Sequence, residues 1–382
     1  MPKYVSQVHR CFRCGYCKFP SDYSSFNCPS YRRFRFDSYS TGGRLWLIYA
    51  WIKGELEWSD HLGEILYTCT TCKNCVEQCP MKFAPDIVDW IVEARSDVVE
   101  KGKIPERVSR FFEAVYNYGN PFKQLRSSRA AWANGAKRYA RGDEFLLYVG
   151  CLGSYDENGQ KMARSLVHIL NASRISFGIL GAEEECCGNE VYMLGEMGLF
   201  QNIAEKNIRK FTGLGVTKII TLCPHGYNVM KNIYPTMGAR FEVYHYTQVL
   251  SDLLEQNKLI PLPAKAKVTY QDPCFLGRYN NVYDEPRQIL QCIPGVKLVE
   301  MERTRKDAFC CGGGSGNFVT DLLAGSPDNP ARVRVREAYE TGANTLAVAC
   351  PGCLTMLTDA AKAENLDGKL DVKDISQVVR DS

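Results

Sequence analysis

The chain has 382 residues, 45% of them apolar, a formal net charge of +4 and eighteen cysteines. That is enough apolar material for two or three domains with ordinary cores, so the cysteines are not needed to staple a small fold. The longest apolar run, Leu45 to Ile52, has eight residues against the roughly 20 of a membrane span, and the near-neutral balance makes no case for nucleic acid.

Residues Met1 to Gln7 lack the apolar stretch of a secretory leader. A reducing compartment is therefore expected, where cysteines bind metal rather than pair. The expectation is a cytoplasmic protein, held at the inner face of the membrane only through a partner. Residues 1–53 carry nine basic side chains (Lys3, Arg10, Arg13, Lys18, Arg32, Arg33, Arg35, Arg44 and Lys53) against Asp22 and Asp37, with aromatics interleaved over Tyr31 to Phe36. Such a segment reads as a docking face for an acidic partner, anionic lipid or single-stranded nucleic acid. It reads equally as a solvated face that balances anionic clusters, and no nucleic-acid partner is expected.

The first block holds Cys11-x2-Cys14-x2-Cys17 followed by Cys28-Pro29, then Cys69-x2-Cys72-x2-Cys75-x3-Cys79-Pro80. The second run resembles the bacterial ferredoxin signature letter for letter. In two-cluster ferredoxins the cysteine before proline serves the other cluster. The resemblance implies Cys11, Cys14, Cys17 and Cys79 on one [4Fe-4S] cubane and Cys69, Cys72, Cys75 and Cys28 on the other. Ten residues rather than three separate Cys17 from Cys28, which leaves Cys28 the least constrained of the eight. Zinc ribbons also use C-x2-C, but as two pairs and not as triplets closed by Cys-Pro. Arg44 to Ile52, after Gly42-Gly43, predicts a helix whose bulky face keeps water from the clusters. Ile87, Ile91, Ala94 and Val98 predict another. The block spans 1–99, and an Arg- and Lys-rich linker, mostly helical, spans 100–142.

Residues 143–263 and 264–382 are repeats of one another. Apolar strands are expected at Phe145 to Val149 before Gly150-Cys151, and at Lys218 to Leu222 before Cys223-Pro224. They recur at Val268 to Tyr270 before Asp272-Pro273-Cys274, and at Thr345 to Ala349 before Cys350-Pro351. In between, 34 residues separate Cys151 from the pair Cys186-Cys187-Gly188, and 35 separate Cys274 from Cys310-Cys311-Gly312. The tails match as Val243 to Leu250 and Val372 to Val379, and Pro261 and Pro263 mark the seam. Alternating strands and helices predict α/β units with largely parallel sheets, in which ligands sit beyond the carboxyl ends of the strands. The expected architecture is thus a helical, ferredoxin-like domain followed by two pseudo-symmetric α/β repeats whose cysteine-bearing rims face each other or share a cleft. Adjacent Cys310 and Cys311 can reach one inorganic group but hardly each other. Gly312-Gly313-Gly314 lets backbone amides approach its sulfurs; a phosphate loop is the competing reading, but no Gly-Lys-Ser/Thr comes after it.

A ferredoxin block followed by two modules of the form C-x(n)-C-C-G-x(m)-C-x2-C resembles the D-type subunit of the heterodisulfide reductases and the iron-sulfur subunits of glycolate oxidase and anaerobic glycerol-3-phosphate dehydrogenase. In the heterodisulfide reductases this module binds a non-cubane [4Fe-4S] cluster at which a disulfide is cleaved. The resemblance implies that Cys274, Cys310, Cys311, Cys350 and Cys353 hold that cluster and are catalytic. The first repeat departs from the pattern, because Cys223-Pro224-His225-Gly226 has glycine where the last cysteine belongs. Cys151, Cys186, Cys187 and Cys223, with His225 as an imidazole substitute or merely hydrogen-bonded, remain to hold zinc, an iron-sulfur cluster or nothing. His245 matches Asp374; either is a proton donor in the cleft or, on the blander reading, structural. Cys292, in a predicted helix, reads as a buried apolar thiol.

Two functions are implied by the resemblance. One is an enzyme subunit that passes electrons through two cubanes to the second-repeat cluster for thiol/disulfide chemistry on a small substrate. The other is a relay for a flavin-dependent dehydrogenase of lactate, glycolate or glycerol-3-phosphate type, or one linked to electron-transfer flavoprotein, feeding a quinone or membrane cytochrome. No GxGxxG comes after a strand, so flavin or nicotinamide belongs to another subunit. The intact five-cysteine set puts disulfide chemistry ahead; the degenerate repeat favours the relay.

Overall fold

In the computed structural model the described residues are 7–19, 25–133 and 135–381. Met1 to Ser6, including Lys3 of the basic segment, and Asp22 lie outside them. Among the described residues the strands form two four-stranded parallel sheets, one per repeat. The first contains β1 (Phe145–Tyr148), β2 (Phe177–Ile179), β3 (Lys218–Thr221) and β4 (Glu242–His245) in the order β2-β1-β3-β4. The second repeats it with β5 (Ala266–Tyr270), β6 (Val296–Leu298), β7 (Thr345–Val348) and β8 (Asp371–Asp374) in the order β6-β5-β7-β8. The registers correspond as well, with Leu146 paired to Ile219 and its counterpart Thr269 to Leu346. Of the central strands, β1 and β7 are buried along their length, as parallel strands covered on both faces must be.

Matching helices join the repeats reciprocally. Helix Glu157–Ala172 of the first packs on Ile375–Arg380 of the second, while Tyr246–Glu255 of the first packs on Asp284–Cys292 of the second. This is the exchange a two-fold axis produces, and one continuous apolar core runs across the seam. His245 and Asp374 occupy equivalent N-caps of these terminal helices. Each closes a capping box with the glutamine three residues on, Gln248 or Gln377. Both are fully buried, so they serve the fold and line no cleft.

The N-terminal block is helical. Helix Thr41–Ile52 begins three residues earlier than its apolar pattern predicts, because Ser40 caps it by accepting from the Gly43 N–H. Leu45 and Ile48 on its inner face are buried. Helix Ile87–Glu100 carries the expected stripe of Ile87, Ile91, Ala94 and Val98 inward.

Three expectations need correction. The linker is less helical than expected: helix Glu106–Tyr118 ends at Gly119 in a left-handed conformation (φ 69°), and a 3-10 turn covers Arg126–Ala130. Near its end Tyr139 N–H donates to Ile179 O, so this part of the linker edges the first sheet. The basic segment is largely consumed inside the molecule. Arg32 and Arg35 pair with Asp328, Arg33 donates to the carbonyls of Leu323 and Ala324, and Lys18 pairs with Asp37. Arg44 is fully buried and donates to Ile65 O, Tyr39 O, Ser30 Oγ and Thr68 Oγ1. Arg10, Arg13 and Lys53 stay exposed. Cys292 ends its helix on the exposed side rather than in the core.

Candidate iron-sulfur centres

All eighteen cysteines are unpaired. Cys11, Cys14, Cys17 and Cys79 together line a small hollow of about 30 Å³, roofed by Leu45, Phe83 and Ile87. Cys28, Cys69, Cys72 and Cys75 line a second, of about 20 Å³, which Cys17 also touches. The chain returns to Cys28 through Asn27, whose N–H donates to Lys18 O at 2.7 Å. Cys28 then caps helix Pro29–Phe34 and is buried. No three or more His, Cys, Asp or Glu side chains among the described residues approach closely enough to grip a single ion; each set surrounds a hollow instead. Burial pushes the Cys17 thiol up to about 12, with Cys28 adding to it. Bare, the thiol keeps its proton; a bound cation is what draws such protons off.

In the second repeat Cys274, Cys310, Cys311, Cys350 and Cys353 are all buried. Cys353 Sγ lies 3.2 Å from Cys311 Sγ, contact distance rather than the roughly 2.05 Å of a disulfide. Gly312, at φ 84°, turns its N–H back onto Cys310 Sγ at 3.2 Å. In the first repeat Cys151, Cys186, Cys187 and Cys223 line a hollow of about 50 Å³ with His225, Glu190 and Gly226. Gly188, at φ 80°, repeats the turn by donating to Cys186 Sγ at 3.4 Å.

The sets touch in series. Cys72 of the ferredoxin block meets Cys310 of the second repeat side chain to side chain, and Thr70 Oγ1 lies 3.6 Å from the same sulfur. Across the seam, Cys350 of the second repeat meets Cys223 and His225 of the first. The expected facing of the two rims is therefore realised at Cys350.

Buried arginines that sequence reasoning missed hold these junctions. Arg278 donates from Nε to Cys72 O at 2.6 Å and from Nη1 to Ala308 O at 2.8 Å, while its Nη2 is buried with no protein partner. Arg95 binds Leu66 O, Cys69 O, Met193 O and Ser315 Oγ, tying the ferredoxin block to both repeats. Arg129, from the linker, places Nη2 3.6 Å from Cys151 Sγ and 3.0 Å from Glu184 Oε1. Glu184 also accepts from the N–H groups of Val149 and Gly150. The one signal in the chain was Arg95, a charge beside Ala94 within the buried stripe of its helix.

Two four-cysteine hollows in a helical block, joined to two parallel-sheet units with cysteines at their strand ends, define an iron-sulfur protein. Comparison with known proteins agrees. The 4Fe-4S dicluster domain family matches residues 7–83, and the Cysteine-rich domain family matches 145–231 and 268–358. The chain is 40% identical over 332 residues to the probable iron-sulfur-binding oxidoreductase FadF of Bacillus subtilis, covering 84% of this chain and 46% of that protein. It is 36% identical over 335 residues to the EtfAB:quinone oxidoreductase of Syntrophomonas wolfei, covering 83% and 46%. With the D-type subunit of the dihydromethanophenazine:CoB–CoM heterodisulfide reductase of Methanosarcina barkeri it shares 30% over 400 residues, covering 99% and 94%. It spans about half the length of the first two relatives and nearly all of the third. The chain belongs to the family of iron-sulfur oxidoreductase subunits that includes the heterodisulfide reductase D-type subunits. No helix among its described residues is long and apolar enough to cross a membrane.

Proposed function

We propose that this chain is the electron-carrying subunit of a flavin-dependent redox system, exchanging electrons between a flavoprotein and a quinone-linked or cytochrome acceptor. The proposed ligands are Cys11, Cys14, Cys17 and Cys79 for one cubane, and Cys28, Cys69, Cys72 and Cys75 for the other. Cys274, Cys310, Cys311, Cys350 and Cys353 are proposed for a non-cubane cluster. When bound, iron-sulfur clusters take up and release single electrons at potentials set by hydrogen bonds to sulfur and by burial. The chain's own residues bring the sets into contact and keep water from them: Leu45, Phe83 and Ile87 over the first hollow, and Phe275 beside Cys72, Cys274 and Cys310.

The observation that carries the relay is continuity without access. The sets adjoin at Cys17, at Cys72 with Cys310, and at Cys350 with Cys223. Among the described residues all five cysteines of the second repeat are buried, and two surface hollows, of about 810 and 400 Å³, include none of them in their walls. A relay needs sulfurs close together and dry; a disulfide substrate needs an opening. With no dinucleotide fingerprint in this sequence, the flavin is proposed to belong to a partner, a reading supported by the name of the Syntrophomonas relative, an EtfAB:quinone oxidoreductase.

Thiol/disulfide chemistry is the second reading, favoured by the completeness of the second set and by the full-length similarity to the heterodisulfide reductase D-type subunit. Low-temperature EPR of the anaerobically purified, oxidised chain separates the two. Under the relay reading the spectrum is unchanged by added small thiols, and the dithionite-reduced chain is reoxidised by a soluble quinone analogue. A paramagnetic signal that appears only with thiol would overturn the relay in favour of disulfide chemistry.

A further inference from the structure

The first repeat lacks the fifth cysteine, yet it is not idle towards its partner repeat. His225 comes after Cys223-Pro224 in helix Pro224–Asn228 and is buried. Its Nδ1 lies 2.5 Å from Glu190 Oε1. That carboxylate is fixed in turn, accepting at Oε1 from Asn189 Nδ2 (2.8 Å) and at Oε2 from the Gly316 backbone N–H in the second repeat's glycine-rich loop. With Nδ1 engaged, the other ring nitrogen is left for Cys350 of the second set, which the imidazole adjoins. The ring of Phe275, next in the chain to Cys274, sits 4.4 Å from the imidazole and closes the contact off.

The relationship runs one way. Position 352, the counterpart of His225, is glycine, and a side chain begun there meets Cys350 Sγ at 3.6 Å and Leu152 Cδ1 at 3.7 Å, so the second repeat sends nothing back. The chain of contacts Gly316, Glu190, His225, Cys350 starts and ends in the second repeat and passes through the first. A carboxylate and a cysteine sulfur at its two ring nitrogens are both acceptors, which calls for a donor at each nitrogen.

We propose that His225 is a positioning residue for the second repeat's cluster: held by Glu190, it donates a hydrogen bond to Cys350 and so sets that cluster's reduction potential. The inference rests on the reading that the second set holds an iron-sulfur cluster. A donor to a ligand sulfur withdraws charge from it and favours the reduced state. The degenerate repeat is then a scaffold that tunes the complete one.

The test is an EPR-monitored redox titration, with iron content, on the full anaerobic chain and on His225→Ala, His225→Gln and Glu190→Gln. In His225→Ala the second-set reduction equilibrium should shift at least tenfold towards the oxidised form, about 59 mV for one electron, while the N-terminal centres stay put. His225→Gln, whose amide can donate, should recover part of the shift, and Glu190→Gln should move the potential the same way by less. If His225→Ala does not accumulate as folded protein, Glu190→Gln, equal in size, carries the test. An unchanged potential at wild-type iron content would overturn the proposal. So would iron loss in His225→Ala, which would make His225 a ligand. Cys353→Ala supplies the control: if it removes no iron, the second-set assignment itself fails and this inference with it. If it removes iron and His225→Ala moves nothing, only this inference fails.

Discussion

The two cysteine-rich repeats share a strand order, an adjacent cysteine pair and a left-handed glycine that turns its amide onto the first sulfur of the pair. They part company just past that glycine. Two residues further on, the second repeat has Gly314 and the first has Glu190. A Cβ at Gly314 would stand 2.4 Å from Thr70 O, so only glycine lets the Cys69–Cys72 loop reach the second set. Glu190 fills the same place with a carboxylate that reaches His225. Three residues after Cys223 and Cys350 the first repeat has Gly226 and the second Cys353. One scaffold thus carries two different sets of side chains, and the difference turns on whether a position leaves room for a neighbouring loop or supplies a further thiol.

The largest effect is expected from Cys353→Ala. It should lower iron per chain and abolish the second-set EPR signal while leaving the N-terminal signals, measured by iron analysis and spectroscopy; wild-type iron content would remove the distinction between the repeats. Gly314→Ala comes next. The clash is with backbone, which cannot swing aside, so a loss of about 1–3 kcal/mol is expected from overpacking, read by denaturant unfolding, together with slower reduction of the second set in stopped-flow experiments. The corresponding change in the first repeat, Glu190→Ala, leaves that loop contact untouched.

Gly226→Cys makes the converse change in the first repeat. A Cβ there meets Tyr148 at 3.7 Å and Cys187 Cβ at 4.0 Å, ordinary contacts, so the fifth thiol can be restored without strain. Iron per chain should rise if a cysteine is all the first repeat lacks; no rise would show that His225 and Glu190 have committed the site to another use.

The smallest effect concerns the equivalent caps. Burial pushes Asp374 up to about 7 despite hydrogen bonds from Ser376 and Tyr246, against about 3.9 unfolded. The folded state therefore binds the extra proton, and this group's contribution to stability falls as pH rises from about 4 to 7. Burial lowers His245 to about 3 from about 6.5. Here the unfolded state binds the proton, and stability rises with pH from about 3 to 6.5. Thermal unfolding against pH should show Asp374→Asn flattening the first slope and His245→Asn the second, each at most about 1.4 kcal/mol per pH unit.

Much of this protein was legible in its sequence, because the relevant information is local. Cysteines at the ends of apolar runs sit beyond parallel strands, since such runs are buried on both faces and the chain must break where they stop. The ferredoxin resemblance drew attention to eight cysteines that line the two N-terminal hollows, with Cys17 touching both, because three of each run's cysteines lie within one tight turn. Which sets meet is fixed by tertiary packing alone. Cys72 and Cys310 are separated by 238 positions, and Arg278 reaches Cys72 O across 206. Arg129 comes from a linker with no motif at all, and the basic segment is spent on Asp328 and backbone carbonyls nearly 300 residues away. Hydrophobic periodicity records which face of an element is buried, not which distant element covers it. The identity of each neighbour, and with it the use of Gly314, Glu190 and His225, is fixed only by the packing of the finished fold.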